Sequence, residues 1–184
     1  MNREIEQLRQ QFEDIKKDAL QLSASLDDAQ FNWTSSPQRW SMSECLAHLN
    51  VVDGLDLPLI ERAIQHGGAA GWTGDGPFRY GWLSRKFVSL SESPERLKMR
   101  APKVYLPPSA KPKEKVVSEF LSIHDNLLQL VAQSDGLDLA RIRVPSPFPL
   151  VTFSLGQRFL LLAAHDRRHL RQAWEVRENS GFPK

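Results

Sequence analysis

Residues 5–26, IEQLRQQFEDIKKDALQLSASL, carry Ile5, Leu8, Phe12, Ile15, Ala19, Leu22 and Leu26 at alternating steps of three and four. That repeat marks one face of an α-helix. Glu, Gln, Lys and Asp occupy the remaining positions, so a single apolar stripe is set against a polar surface. At about three heptads inside a longer chain, the stripe predicts a helix of a bundle and not an extended coiled coil.

Three further segments share this character. The second opens at Ser41-Met-Ser-Glu44, where serine and glutamate have the spacing of a reciprocal helix cap. Its apolar positions continue through Leu46, Leu49, Val52, Leu55, Leu59 and Ile60. Pro58 is expected to kink or shorten it, and Gly67-Gly68 to end it. The third follows the proline-rich stretch 107–112, with a buried stripe expected at Val117, Phe120 or Leu121, His124, Leu127 or Leu128, and Val131. The fourth starts at Ser154-Leu-Gly-Gln157, again with cap spacing, and runs to about Asn179, with Gly181 as its stop.

Between the second and third segments, residues 67–111 are irregular. Glycines are followed by Trp72, Phe78, Tyr80 and Trp82, and Leu83 to Leu90 has the composition of a short helix. A connection this long is usually functional or disordered, and its aromatics predict that it packs over something. No comparable alternation of apolar and polar residues argues for a sheet. The expected class is therefore all-α: one domain over residues 1–184, a four-helix bundle with a long crossover between its second and third main helices.

Charge narrows the function. Twenty-four basic residues against 22 acidic leave +2, too balanced for a nucleic-acid or anionic-membrane partner. The N-terminus is charged from the start, and the longest apolar run, Phe159 to Ala164, is far too short to span a bilayer. The single cysteine, Cys45, excludes an internal disulfide. A cytoplasmic protein acting on a small molecule is the expectation.

The histidines carry the chemistry. His165 and His169 are four apart in the fourth helix, about 40° around and about 6 Å along its axis, so both rings can reach one ion. The spacing alone is weak, since such pairs are commonly solvated. This pair directly follows Phe159-Leu-Leu-Leu-Ala-Ala164, where an unpaired imidazole would be costly to bury. His48 shares a stripe with Cys45, Val52, Leu55 and Leu59 on the second helix. Three histidines from two helices make an open ligand set, leaving positions for water, a thiolate or substrate. For His124, a core histidine bonded to a neighbour is at least as good a reading as a metal role. His66 reads as a C-terminal helix residue favoured by the helix dipole.

Two stretches resemble the DinB-like family. Trp40-Ser-Met-Ser-Glu44-Cys-Leu-Ala-His48-Leu49 is similar to its W-[ST]-x-x-E-x-x-x-H-[LI] signature, and His165-Asp-Arg-Arg-His169-Leu-Arg-Gln172 to its H-x-x-x-H-x-x-Q. Phe31-Asn-Trp33 and the Ser146-Pro147-Phe148 turn look like family features too. The resemblance implies a bundle, often dimeric, with a divalent metal at one end held by His48, His165 and His169. It also implies a range of reactions, from thiol S-transfer with bacillithiol or mycothiol to metal-dependent hydrolysis.

Arg168 and Gln172 share the side of His165, three and seven residues on. They are the candidate substrate- or cofactor-contacting residues: Arg168 for a substrate carboxylate, Gln172 in support of a ligand histidine, with solvated rim positions as the alternative. Arg167 and Arg171 read as surface charges, Glu44 as a cap, Trp40 as a staple and Cys45 as a buried thiol outside the site. The expected protein is a homodimeric enzyme in which the metal (zinc, nickel or iron) lowers the pKa of a bound water or low-molecular-weight thiol. Transfer is favoured slightly over hydrolysis because only His124 offers itself as a general base. The alternative is a non-catalytic bundle that binds a metal or small ligand.

Overall fold

The computed structural model describes residues 2–81, 103–107, 111–145 and 152–183, together with Lys86, Val88 and Glu92. Helix α1 spans Arg3–Ser23, capped by the Asn2 side chain, which accepts from the Glu4 N–H. Its apolar stripe, Ile5 through Leu22, is buried throughout. A four-residue helix, α2 (Asp28–Phe31), follows; it is too short for its period to show in the sequence, although Asp27 and Gln30 form a reciprocal cap.

Helix α3 is Met42–Ala69 and α5 is Leu155–Arg177. Both begin with the predicted reciprocal caps, Ser41 with Glu44 and Ser154 with Gln157. Pro58 does not shorten α3, which stays helical for another eleven residues. A proline removes one backbone hydrogen bond, and the packing on either side of Pro58 outweighs that loss. Helix α4, Lys113–Gln133, starts at Pro112 and has no side-chain cap. Its buried stripe is Val116, Phe120, His124, Leu127, Leu130 and Val131, one residue earlier at its start than expected.

Helices α1 and α3 each pack against both α4 and α5, which puts α1 and α3 on one diagonal of a four-helix bundle. The all-α class stands, with one small addition. A two-stranded antiparallel ribbon, β1 (Arg143–Pro145) with β2 (Thr152–Ser154), joins α4 to α5, pairing Val144 with Phe153. Three-residue strands are too short to display an alternating pattern. The Ser146-Pro147-Phe148 turn, Trp82 and, apart from Lys86 and Val88, the Leu83–Leu90 segment lie outside the described residues. No helix among the described residues is long and apolar enough to cross a membrane.

The start of the long connection is tied down by backbone pairing. Asp138 N–H donates to Trp72 O (2.9 Å), Gly74 N–H to Gly136 O (3.0 Å), and Arg141 lies over the Trp72 ring. Further along, the Tyr80 hydroxyl donates to Glu4.

The sharpest correction concerns the middle of α3. Val52 and Leu55 were expected on the buried face, yet Leu55 is 46% exposed and Val52 only half-buried, while Asp53 and Asp56 are fully buried. The true stripe is Leu46, Leu49, Asp53, Asp56 and Ile60, also at steps of three and four. In it Asp56 pairs with Arg158 of α5, and Asp53 lies beside His124 of α4 and Asp166 of α5.

Gly67 marks a tight contact at the other end of α3: a Cβ there would lie 2.4 Å from Ile142 Cδ1 and 2.6 Å from its Cγ1. Gly67→Ala therefore lowers stability by about 1–3 kcal/mol through overpacking, against about 1 kcal/mol returned by better helix propensity. A denaturant melt reads the difference, and a neutral or stabilising result would show that Ile142 moves aside at no cost.

Candidate metal centre

Three elements supply the site. His48 lies seven residues into α3, His165 and His169 lie one turn apart in α5, and Tyr105 ends a 3-10 turn (Lys103–Tyr105) of the long connection. The caps at Ser41 and Ser154 set where α3 and α5 begin, and hence which way these rings face. The three histidine rings form a near-equilateral triangle with centroids 5.2, 4.6 and 4.6 Å apart. One ring nitrogen from each lies within 4.8 Å of the others. His48 and His169 are buried and His165 is half-buried. The Trp40 ring covers one side, stacked on His169 and tilted against His48. A residue read as a helix staple is thus a wall of the cluster.

Hydrogen bonding fixes the tautomers. A carbonyl can only accept, so His48 Nδ1, 2.6 Å from Tyr105 O, carries its proton and leaves Nε2 as a bare lone pair. His169 Nδ1 donates to Gln172 Oε1 (3.1 Å), which likewise frees its Nε2. His165 Nε2 sits 3.3 Å from His48 Nε2, and His165 Nδ1 is buried with no partner. A proton on Nε2 would satisfy His48 but leave Nδ1 as a buried orphan acceptor. A proton on Nδ1 would turn three lone pairs toward one point. A cation at that point resolves the convergence of lone pairs, with the His48 and His169 rings oriented from behind as in established histidine–metal sites. The donor set therefore fits a divalent metal.

Electrostatics agree. Burial lowers the pKa of His48, sends His165 well below its usual value, and takes His169 down to about 3. The Arg168 guanidinium adds to the effect at all three, and the other two rings add to it at His165. The rings are consequently neutral at neutral pH, the form that binds metal. Burial also lowers the pKa of Arg168. Cys45 is fully buried three residues before His48, and burial pushes its thiol up, so it remains protonated.

The lowered histidines carry a pH dependence. In chelated protein, His169 is protonated below about 3 when folded but near 6.5 when unfolded. Its stability contribution is thus full above 6.5 and is lost as pH falls toward 3. Asp53, Asp56 and Asp166 are pushed up by burial and act in the opposite sense, so a variant difference is the measurement to make. Between pH 7 and roughly pH 4.5, His169→Gln loses about 2 kcal/mol less stability than the unaltered chain. Equal losses would mean that His169 is not held neutral by the fold.

The other sequence candidates fall elsewhere. Glu44 bonds Ser41 through its carboxylate (2.8 Å) and serves as a cap. His66 packs edge-on against Trp72. Arg167 and Arg171, read as surface charges, both reach Glu92 of the long connection. His124 faces Phe120 O and Asp166, away from the three-histidine cluster. Asp53 and the Tyr105 carbonyl were missed. A backbone carbonyl has no sequence signal, whereas Asp53 was findable from its place in the Leu46-Leu49-Asp53-Asp56-Ile60 spacing.

Among known families, the model described as the DinB superfamily matches residues 11–173. No curated protein and no solved structure matches the chain.

Proposed function

The chain belongs to the DinB superfamily, and from that premise we propose that it is a metal-dependent enzyme acting on a small molecule, with thiol S-transfer as its reaction. The observation that carries this is the convergence of His48, His165 and His169, with two rings locked as acceptors and a buried orphan nitrogen on the third. A divalent cation held there acts as a Lewis acid, lowering the pKa of a thiol or water so that it is a nucleophile at neutral pH.

The protein's own groups have separate tasks. Tyr105 O and Gln172 Oε1 hold two rings in the ligating tautomer. Trp40 shields the cluster on one side, which keeps the local dielectric low and strengthens charge interactions within it. Arg168, half-buried and near enough to act on all three histidines, is suited to an anionic group of the substrate. Transfer asks for little more: the thiol gives up its proton to solvent, the thiolate attacks an electrophilic carbon, the C–S bond forms, and the leaving group departs with its former bonding pair. Hydrolysis of an ester or amide needs, in addition, a base that relays the water's proton to the departing alkoxide or amine. His124, which the sequence offered for that task, is fully buried and turned toward Asp166.

The test is to load purified protein with zinc, nickel or ferrous iron and follow consumption of a low-molecular-weight thiol over a panel of electrophiles. Ester and amide panels run alongside, with His165→Ala as control. Thiol-adduct formation above that control supports transfer, and turnover confined to esters or amides would move the assignment to hydrolysis. Stoichiometric metal without turnover on any panel would leave a non-catalytic metal-binding bundle. The same reading includes a homodimer, which sedimentation velocity checks; a monomer at all concentrations removes that part.

A further inference from the structure

A second cluster lies deeper in the bundle. Asp53 of α3, His124 of α4 and Asp166 of α5 are each fully buried, at 0% exposure, and offer one ligand atom apiece within 4.8 Å of one another. Three different helices thus point an acceptor group at one place in the core.

Donors and acceptors do not balance there. His124 Nδ1 is 3.0 Å from Phe120 O and must donate to it, so the neutral ring presents a bare Nε2 on its other side. That nitrogen faces Asp166 Oδ2 at 3.2 Å, acceptor against acceptor. Both Asp53 oxygens and Asp166 Oδ1 are buried with no donor group facing them among the described residues, so the two carboxyl groups have only each other. The cations whose charge reaches this cluster are committed elsewhere: Lys16, which acts on His124, to Asp125, and Arg167, which acts on Asp166, to Glu92. Two carboxylates in the dry core with no cation are among the most costly arrangements a fold can hold.

We propose that Asp53, His124 and Asp166 form a second, structural site for a divalent transition-metal cation, separate from the three-histidine centre. Two carboxylates and a neutral imidazole balance a 2+ charge. The His124–Asp166 separation of 3.2 Å matches about 3.3 Å between neighbouring ligand atoms around a tetrahedral metal with bonds near 2.0 Å. Mixed oxygen and nitrogen ligands suit zinc or manganese. His124 is oriented from behind by the Phe120 carbonyl, as ligating histidines ordinarily are. Full burial means the ion enters as the bundle closes, so its binding energy acts as folding energy and pins α3, α4 and α5 together.

The experiment uses the full chain and the double variant His48→Ala/His165→Ala, each refolded with zinc, in parallel with manganese, then desalted and measured by elemental analysis. Two equivalents in the unaltered chain and one in the double variant are expected. That remaining equivalent is lost on adding Asp53→Asn or, independently, His124→Gln, with circular dichroism confirming the helical fold. X-ray absorption of the zinc-loaded double variant shows mixed O/N coordination with a single imidazole, and zinc raises its melting temperature. One equivalent in the unaltered chain that vanishes in the double variant keeps the histidine centre and overturns this site. One equivalent that survives there and is lost with Asp53→Asn supports this site and removes the basis of the proposed function. A metal-free double variant whose infrared spectrum has a carboxylic-acid C=O band, abolished by Asp53→Asn, would assign the cluster to shared protons and overturn the proposal.

Discussion

His169→Ala binds zinc or nickel at least about 100-fold more weakly than the unaltered chain, because even the outer partners of ligating histidines are worth 10–100-fold in affinity. His169 sits between the other two rings, 4.6 Å from each, and is buried against Trp40. Removing it leaves two nitrogens on different helices, which hold an ion far less well than three. Gln172→Ala is the graded control. It keeps the ring but releases Nδ1, so the tautomer is no longer imposed, and a loss of about 10–100-fold is expected. Competition titration against a chromophoric chelator measures both. An affinity unchanged within about threefold in His169→Ala would place metal binding elsewhere and remove the centre proposed for catalysis.

Arg158→Met destabilises the fold by about 3–5 kcal/mol at neutral pH, since it leaves a buried carboxylate without its counter-ion. Arg158 and Asp56 are 5% and 3% exposed and bonded directly to each other across α5 and α3. Burial already raises the Asp56 pKa even with the guanidinium opposing that rise. Without Arg158 the carboxyl titrates higher still, so it can escape its cost by taking a proton. The penalty therefore shrinks as pH falls and grows as pH rises. The double change Asp56→Leu/Arg158→Met recovers most of the loss, because a well-packed apolar pair often equals a buried ion pair. Denaturant melts of the two singles and the double close the cycle. A double variant as unstable as Arg158→Met would mean that packing, including the Arg158–Phe153 contact, outweighs the charge.

Much of the bundle is legible in the chain itself. Stripes at steps of three and four locate α1 and α4, and the serine–glutamate and serine–glutamine spacings locate the starts of α3 and α5 to the residue. These signals are local, arising from a few neighbouring residues and the helical repeat. The His165/His169 pair is local for the same reason: four residues along one helix set its spacing whatever lies opposite.

Other features depend on what arrives from elsewhere in the chain. Asp53 and Asp56 fit the α3 stripe as well as Val52 and Leu55 do, and hydrophobicity favours the wrong pair. For Asp56 it is the approach of Arg158 from α5 that makes the carboxylate face the buried one, and for Asp53 it is the cation site proposed with His124 and Asp166. His48 meets the α5 histidines through the packing of α3 on α5. Its tautomer is set by the carbonyl of Tyr105, 57 residues away. The chain by itself determined the helices and the pair of rings on one of them. Tertiary structure decided which polar groups are buried and what they face, because a buried charge or lone pair is tolerable only beside its partner, and that partner sits on another helix.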